Sequence, residues 1–177
     1  STPDSEGSSP QDGELQADDT GLIERHYEIP EDSTGYTYER IFRPYIDSAK
    51  VIVVEDAFVR YSYQVENLTR LCALAVRLGQ IERIELVTRD WGGSENDESD
   101  ARLETLRRDL GGRKIQFDWR RDPMLHDREV RFDNGWVVKI GRGLDIYKKP
   151  ESWTSISAAD FSLRSCKQTK VDVYKTT

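Results

Sequence analysis

Cysteine and histidine are scarce in this sequence of 177 residues, which contains two of each. Cys72 lies in an apolar stretch, where a buried small side chain is the expected role, so a disulfide framework is not predicted. Cys166 and the two histidines, His26 and His126, do not have the spacing of metal ligands. The sequence therefore predicts no metal site and no cofactor.

Long apolar runs are absent as well. A bilayer span needs roughly 20 apolar residues, and no segment of this sequence approaches that length. The chain also opens without the charged and then apolar pattern of a signal peptide. Together with a charged fraction of 33%, these absences predict a cytoplasmic protein.

The sequence has no excess of positive charge, since 26 Lys and Arg residues stand against 33 Asp and Glu residues. Residues 1–20 hold six of the acidic residues and none of the basic ones. Removing these six leaves 27 acidic against 26 basic residues, so the remainder is close to neutral. Domains that bind nucleic acid are usually strongly basic. Nucleic acid is therefore not an expected partner.

The first 20 residues also differ from the rest in composition, because they are rich in Ser, Asp, Gly and Pro and almost lack apolar residues. Such a segment cannot bury enough surface to offset the entropy lost on ordering. We therefore predict a disordered acidic linker at residues 1–20. Residues 21–177 are long enough for a single domain with a sizeable core.

Strand and helix patterns alternate along the chain as far as residue 119. The β-branched run from Val51 to Val54 is typical of a central strand buried on both faces. A long helix with an apolar stripe from Val65 to Leu78 follows, and Gly79 stands where a C-terminal cap belongs. This alternation favours a mostly parallel sheet covered by helices. The other expected features are an edge strand at 22–29, a helix behind the cap candidates Ser33-Thr34, a strand at 84–88, a polar loop at 91–97, a helix around 103–110 and a strand at 115–119.

A β-hairpin is expected after Pro123, because two alternating segments flank Asn134-Gly135, a sequence typical of a type I′ turn. A two-residue turn at this position would pair Val130 with Lys139. A last strand is expected at 171–174. The predicted fold class is therefore mixed α/β, a mixed sheet covered by helices in a single domain with a C-terminal hairpin region.

Basic side chains cluster in the predicted hairpin. Residues two apart in a strand point to the same face, so His126 and Arg128 would project together. Lys139 would join them from the paired strand, and Gly141-Arg142-Gly143 would permit close backbone approach. A guanidinium in such a cluster can hold two phosphate oxygens, so the cluster is a candidate phosphate site. The alternative is an ordinary solvated strand face with alternating charges.

The spacing H-x-R-x-x-x-x-D, formed by His126, Arg128 and Asp133, is similar to the phospholipase D motif H-x-K-x-x-x-x-D. The segment LHDREVRFDNGWVVKIGRGLDIYKKP around it resembles the C-terminal phospholipase D-like domain of MIT-domain-containing proteins. Further matches occur at residues 35–40, at Glu55-Asp56 followed by Arg60, and at residues 161–174. The resemblance covers roughly residues 22–175 and implies a phospholipase D-like fold.

The resemblance also bears on catalysis. Phospholipase D enzymes use two copies of the motif, in which one histidine attacks phosphorus and the other protonates the leaving group. This chain has one copy, with Arg128 in place of the motif lysine. A symmetric homodimer could bring two His126 side chains together across its axis. An active enzyme of this kind, a phosphodiesterase or nuclease, would use His126 as nucleophile with Arg128 and Asp133.

The MIT-associated members of this family are regarded as non-catalytic modules that bind anionic phospholipids, phosphoinositides in particular. The resemblance therefore implies binding of an anionic membrane surface or a phosphorylated ligand, a peripheral membrane location, and an attached N-terminal domain that binds other proteins. A protein-interaction domain with a vestigial phosphate pocket is a third alternative. Carried over to this sequence, the phosphate- or lipid-binding residues are Arg60, His126, Arg128, Lys139 and Arg142.

Overall fold

A computed structural model describes residues 21–176, and seven strands in this range form one sheet. The predicted linker at residues 1–20 lies outside the described residues. The strands are β1 (Arg25–Ile29), β2 (Val51–Asp56), β3 (Arg83–Thr88), β4 (Gln116–Arg121), β5 (Arg128–Phe132), β6 (Trp136–Ile140) and β7 (Thr169–Lys175). Across the sheet their order is β1-β7-β6-β5-β2-β3-β4, which confirms β1 as an edge strand.

The sheet is mixed, as predicted, but it is not mostly parallel. Only the pairs β2–β3 and β3–β4 are parallel, whereas the other four neighbouring pairs are antiparallel. The expectation of a mostly parallel sheet is wrong because the hairpin β5–β6 joins β2 in antiparallel orientation. Strands β7 and β1 then extend the sheet in the same antiparallel manner.

The main core lies on one face of the sheet. It combines alternate strand residues, such as Ile52 and Val54 of β2, with the apolar sides of three helices. Val51 and Val53 point to the opposite face and are only half-buried, so the prediction that β2 is buried on both faces is wrong. No helix within residues 21–176 is long and apolar enough to cross a membrane. The helices are α1 (Tyr38–Ile46), α2 (Ser62–Leu78), α3 (Gly93–Gly112) and the short α4 (Ile156–Ala159), which is followed by a 3-10 helix at Phe161–Leu163.

Helix α1 starts later than the cap candidates Ser33-Thr34 suggested. Its N-cap is Thr37, whose side-chain oxygen accepts a hydrogen bond from the backbone N–H of Arg40 at 3.1 Å. The hydroxyl of Ser33 instead donates a hydrogen bond to the Pro30 carbonyl, within the turn that follows β1. The cap prediction was therefore wrong by a few residues, although the helix itself is confirmed.

We expect Thr37→Ala to lower the free energy of unfolding by about 1 kcal/mol, because one of the first N–H groups of α1 would lose its partner. Thr34→Ala should change stability by less than about 0.5 kcal/mol, since surface substitutions away from such features have small effects. Urea denaturation of both variants measures the difference. Equal losses of unfolding free energy in the two variants would show that the Thr37 side chain does not stabilise α1 as its N-cap.

The segment after β3 becomes helical sooner than predicted. Helix α3 begins at Gly93, inside the expected polar loop at 91–97. Asp90 accepts hydrogen bonds from the backbone N–H of Gly92 and from the side-chain amide of Asn96, while Asn96 accepts one from the backbone N–H of Trp91. These contacts fix the start of α3 and hold Trp91 beside the end of β3. The cap of α2 at Gly79, with φ 79°, is confirmed.

The hairpin is confirmed, but its register differs from the prediction by one residue. The connection has three residues, Asp133 to Gly135, and Gly135 takes a φ of 90°. Lys139 consequently pairs with Glu129 rather than with Val130. A shift of one residue moves every side chain of a strand to the other face. Lys139 therefore lies on the face opposite Arg128.

Candidate functional site

The candidate site lies at the edge of the sheet where the parallel strands β2, β3 and β4 end. Strand β5 is antiparallel to β2, so it begins at this edge, and its first residue Arg128 pairs with Asp56, the last residue of β2. The loops that follow β2 and β3 lie at the same edge. Ligand sites of α/β sheets commonly occur at this end of the parallel strands.

Arg128 forms a buried ion pair with Asp56. Its Nε lies 3.0 Å from Asp56 Oδ1, and its Nη2 lies 3.4 Å from Oδ2. The side chains are only 18% and 4% exposed, respectively. Burial raises the pKa of Asp56, while the neighbouring guanidinium of Arg128 acts in the opposite direction. The positive charge of Arg128 is therefore already matched within the chain.

Little space remains around this ion pair. The cavity between Asp56, Arg128 and Gly143 has a volume of about 10 Å³. A single water molecule needs about 10–15 Å³, so a phosphate group does not fit beside Arg128 in this arrangement. The Asp56 carboxylate makes the two-point contact with Arg128 that the sequence analysis assigned to a phosphate.

His126 contacts Arg89, a residue that the sequence analysis did not single out. Arg89 Nη2 lies 2.8 Å from His126 Nδ1, and Arg89 also donates through Nε and Nη2 to the Leu125 carbonyl. A guanidinium can only donate hydrogen bonds, so His126 Nδ1 is the acceptor. Neutral His126 consequently carries its proton on Nε2.

Aromatic rings separate the cations at this edge. The Arg60 guanidinium lies 4.3 Å from the ring centres of both Tyr61 and Trp91. The Arg89 guanidinium lies 5.1 Å from the Trp91 ring and 5.7 Å from the Phe58 ring. We call the set Phe58, Arg60, Tyr61, Arg89, Trp91 and His126 the aromatic–basic edge. Cation–π contacts of this kind hold the cations in place without neutralising them.

Arg60 has one carboxylate partner, Glu95 of α3, at 3.4 Å. Its Nε is buried and has no hydrogen-bond partner, whereas another of its nitrogens donates to the Tyr61 hydroxyl. Arg89 has no carboxylate partner among residues 21–176. The edge thus presents one partly balanced cation and one unbalanced cation.

The other predicted site residues, Lys139, Arg142 and Asp133, do not belong to the aromatic–basic edge. Lys139 is exposed on the opposite face of the sheet. Arg142 donates through Nε to the Asp145 carbonyl and through its backbone N–H to Thr169. Asp133 lies at the far end of β5, where its carboxylate accepts hydrogen bonds from the backbone N–H groups of Lys50 and Val51. Asp133 therefore links the hairpin to β2 and does not contact His126.

A second concavity adjoins the aromatic–basic edge. We call it the basic groove; it has a volume of about 520 Å³ and lies between α2 and the segment from Asp145 to Lys167. Tyr63, which lines the groove, stacks on Tyr61 with their ring centres 6.4 Å apart, so the two surfaces are continuous. The groove is lined by two acidic residues, Glu66 and Asp145, and by a larger set of basic and aromatic residues, Tyr63, Arg70, Lys148, Lys149, Trp153, Phe161, Arg164 and Lys167.

Two arginines of the basic groove face the same ring. Arg70 and Arg164 lie 3.6 Å and 4.4 Å from the centre of Phe161. Neither has a carboxylate partner within the described part of the chain, and burial together with the charge of Arg70 lowers the pKa of Arg164. Lys148 and Lys167 are instead balanced by the carboxylates of the ion pairs that they form. Arg164 is 6% exposed and donates to the carbonyls of Ser157 and Ala158, so Arg70 and Lys149 are the cations that suit the groove to an anion.

Arg89, Trp91 and the basic groove were not found from the sequence. Ligand sites of α/β sheets commonly lie just after parallel strands, and this position, which Arg60 takes after β2, is also that of Arg89 and Trp91 after β3. No such signal exists for the groove, because Arg70 and Arg164 are far apart in sequence and meet only through Phe161.

The fold and the edge can now be compared with known proteins. The family described as "Phospholipase D-like domain at C-terminus of MIT" matches residues 35–175. The mouse protein named MIT domain-containing protein 1 is 34% identical to this chain over 161 residues, which are 90% of this chain. The matched region is 65% of the length of the mouse protein, so the chain spans less than two thirds of that relative.

Proposed function

Because the chain belongs to the family of phospholipase D-like domains at the C-terminus of MIT proteins, we propose that it binds anionic phospholipid head groups and does not hydrolyse them. The observation that carries this proposal is the continuous surface formed by the aromatic–basic edge and the basic groove. On this surface, aromatic side chains alternate with cations, of which Arg70, Arg89 and Lys149 form no ion pair within residues 21–176. The same combination suits a protein surface that contacts a membrane interface.

The apolar part of the surface supports contact with a membrane. Phe58, Tyr61 and Tyr63 are exposed although they are large aromatic residues, and Met124 in the neighbouring loop is 74% exposed. Trp153 at the rim of the basic groove is also exposed. Tyr and Trp residues are enriched at the level of lipid head groups, where one end of the ring is apolar and the other is hydrated.

The cations supply the preference for anionic lipid. Arg89 on the edge and Arg70 and Lys149 in the groove are exposed or half-buried and have no carboxylate partner in residues 21–176. The volume of the groove is large enough for a phosphorylated head group, unlike the small cavity beside Arg128. We therefore assign the head group of a phosphoinositide-type lipid to the basic groove and general membrane contact to the edge.

The expected affinity of a single domain is weak. Each basic residue close to an anionic membrane contributes about 1 kcal/mol, so these three give only modest attachment. Avidity would strengthen it, either through a homodimer or through an attached N-terminal domain that binds other proteins. The name of the mouse relative places an MIT domain in that protein, which makes the attached domain the more specific proposal.

The geometry argues against hydrolysis by His126. A histidine nucleophile needs a free lone pair on the nitrogen that attacks phosphorus. Arg89 donates to Nδ1, so the neutral ring holds its proton on Nε2, the nitrogen that faces away from Arg89. Arg128, the cation that would hold the phosphate, is paired with Asp56.

Cosedimentation with liposomes tests the proposal. Wild type should bind vesicles that contain a phosphoinositide more tightly than vesicles of phosphatidylcholine alone, and the difference should shrink at high salt. The variant Arg89→Glu/Lys149→Glu should lose at least tenfold in affinity, because it reverses one charge on the edge and one in the groove. Circular dichroism checks that the variant remains folded.

Lys139→Glu provides the matched control, because it reverses a single exposed charge on the opposite face of the sheet. It should bind like wild type. If Lys139→Glu loses binding as strongly as the double variant, the assigned surface is wrong. If wild type does not bind anionic vesicles, the proposed function fails, and hydrolysis of a phosphodiester that disappears in His126→Ala would then favour an enzyme.

A further inference from the structure

Three carboxylates meet on the face of the sheet opposite the core. Glu55 of β2 and Glu129 of β5 are directly opposite each other in the antiparallel ladder. Asp127 lies two residues before Glu129 and therefore reaches the same face. One ligand oxygen from each of these three side chains lies within 4.8 Å of the other two. We call these residues the acidic trio.

Glu129 is the buried member of the trio. Its side chain is only 6% exposed. One carboxylate oxygen accepts a hydrogen bond from Arg131 Nη2 at 3.2 Å, but the other, Oε2, is buried and has no hydrogen-bond partner among residues 21–176. A buried charged oxygen without a partner is destabilising, so its presence calls for a group that satisfies it.

The protein supplies only part of the positive charge that the trio requires. Arg131 lies 3.2 Å from Glu129 and 3.7 Å from Glu55, and it is the one basic residue of 21–176 that forms ion pairs with the trio. Lys139 pairs with Glu129 in the strand ladder but makes no ion pair with it. Burial and then the charge of Glu129 raise the pKa of Glu55, as expected where carboxylates crowd together.

We propose that Glu55, Asp127 and Glu129 form a binding site for a divalent cation of the Ca²⁺ type. Carboxylate oxygens are the ligands that Ca²⁺ prefers, at distances of about 2.3–2.6 Å. Two ligands on opposite sides of such an ion are roughly 5 Å apart, which agrees with the 4.8 Å limit within the trio. The cation would contact the unpartnered oxygen of Glu129, and water would complete the coordination through the exposed side of Asp127.

This site is separate from the basic groove, although Asp127 directly follows His126 of the aromatic–basic edge. The trio lies on the open face of the sheet, whereas the basic groove lies between α2 and the C-terminal segment. The inference therefore does not rest on the proposed function, and it can be tested with the protein alone. Mg²⁺ should bind more weakly, because it requires shorter distances of about 2.0–2.1 Å and near-ideal octahedral geometry.

Thermal unfolding of the chain after treatment with a chelator tests the site. We expect the midpoint to rise by roughly 3–5 °C for each tenfold excess of Ca²⁺ over the dissociation constant. That constant should lie at about 10⁻⁴–10⁻³ M, since the site has three carboxylates of which one is exposed. Calorimetric titration with Ca²⁺ provides an independent value.

Glu129→Gln should abolish the shift, because it removes the charge of the buried ligand while keeping its shape and a hydrogen-bond acceptor for Arg131. Glu85→Gln is the matched control, since Glu85 of β3 is half-buried on the same face but lies outside the trio. The control should respond to Ca²⁺ like wild type. The inference is overturned if wild type shows no response up to about 10 mM Ca²⁺, or if Glu129→Gln responds equally.

Discussion

Replacing Arg128 with alanine is expected to lower the free energy of unfolding by about 3–5 kcal/mol. The guanidinium forms a two-point contact with Asp56, whose side chain is 4% exposed. Removing it would leave a buried carboxylate without its cation, and the cost of that is larger than the net value of the pair itself. Urea denaturation followed by circular dichroism measures the change.

Two further variants show whether the broken Arg128–Asp56 ion pair causes the loss of stability in Arg128→Ala. Lys139→Ala removes an equal charge from an exposed position on the neighbouring strand and should change stability by less than about 0.5 kcal/mol. Asp56→Asn/Arg128→Met should recover part of the loss, because it removes both buried charges together. Similar losses for Arg128→Ala and Lys139→Ala would contradict the account.

The expected loss of stability on replacing Arg128 affects how lipid binding can be tested. Arg128→Glu would place two carboxylates in contact at a buried position, so we expect that variant to unfold. Loss of liposome binding in it would then report on stability and not on the ligand site. The exposed or half-buried cations Arg89 and Lys149 are better probes, because neither forms part of a buried ion pair.

The predictable part of the fold is the part governed by local patterns. The apolar stripe of α2, its glycine cap and the alternation in β7 depend on residues that are near one another in sequence. The hairpin register was not predictable in this way. Asn134-Gly135 fits a two-residue turn, but the Asp133 side chain accepts hydrogen bonds from Lys50 and Val51 and is thereby drawn into a three-residue connection.

That one-residue difference had the largest effect on the predicted site. It moved Lys139 away from Arg128 and placed it opposite Glu129. The position of Glu129 beside Glu55 comes from a second register, that of β5 against β2. The sequence analysis had noted Glu55-Asp56 only as part of a family match. It could not show which residues lie beside the two carboxylates, Glu129 beside Glu55 and Arg128 beside Asp56. Both contacts depend on strand pairing between distant parts of the chain.

Substituting Gly143 with alanine is expected to lower the free energy of unfolding by about 3–5 kcal/mol. Gly143 has a φ of 60°, in a region that costs an alanine about 1–2 kcal/mol. In addition, a Cβ at this position would overlap Asp56 Oδ2 and lie 2.6 Å from Arg128 Nε. The added methyl group would therefore push apart the buried ion pair. Urea denaturation measures the total effect.

Gly79→Ala separates the two contributions, because Gly79 also has a positive φ, 79°, but has open space where the Cβ would be. It should cost only the backbone strain of about 1–2 kcal/mol. The loss of stability in Gly143→Ala beyond that in Gly79→Ala should be smaller when Asp56 is also replaced by alanine, since the overlapping oxygen is then absent. If both glycine variants lose the same stability, the ion pair adjusts to the methyl group without cost. A larger loss at Gly143 would instead show that the close packing which excludes a phosphate from Arg128 also stabilises the fold.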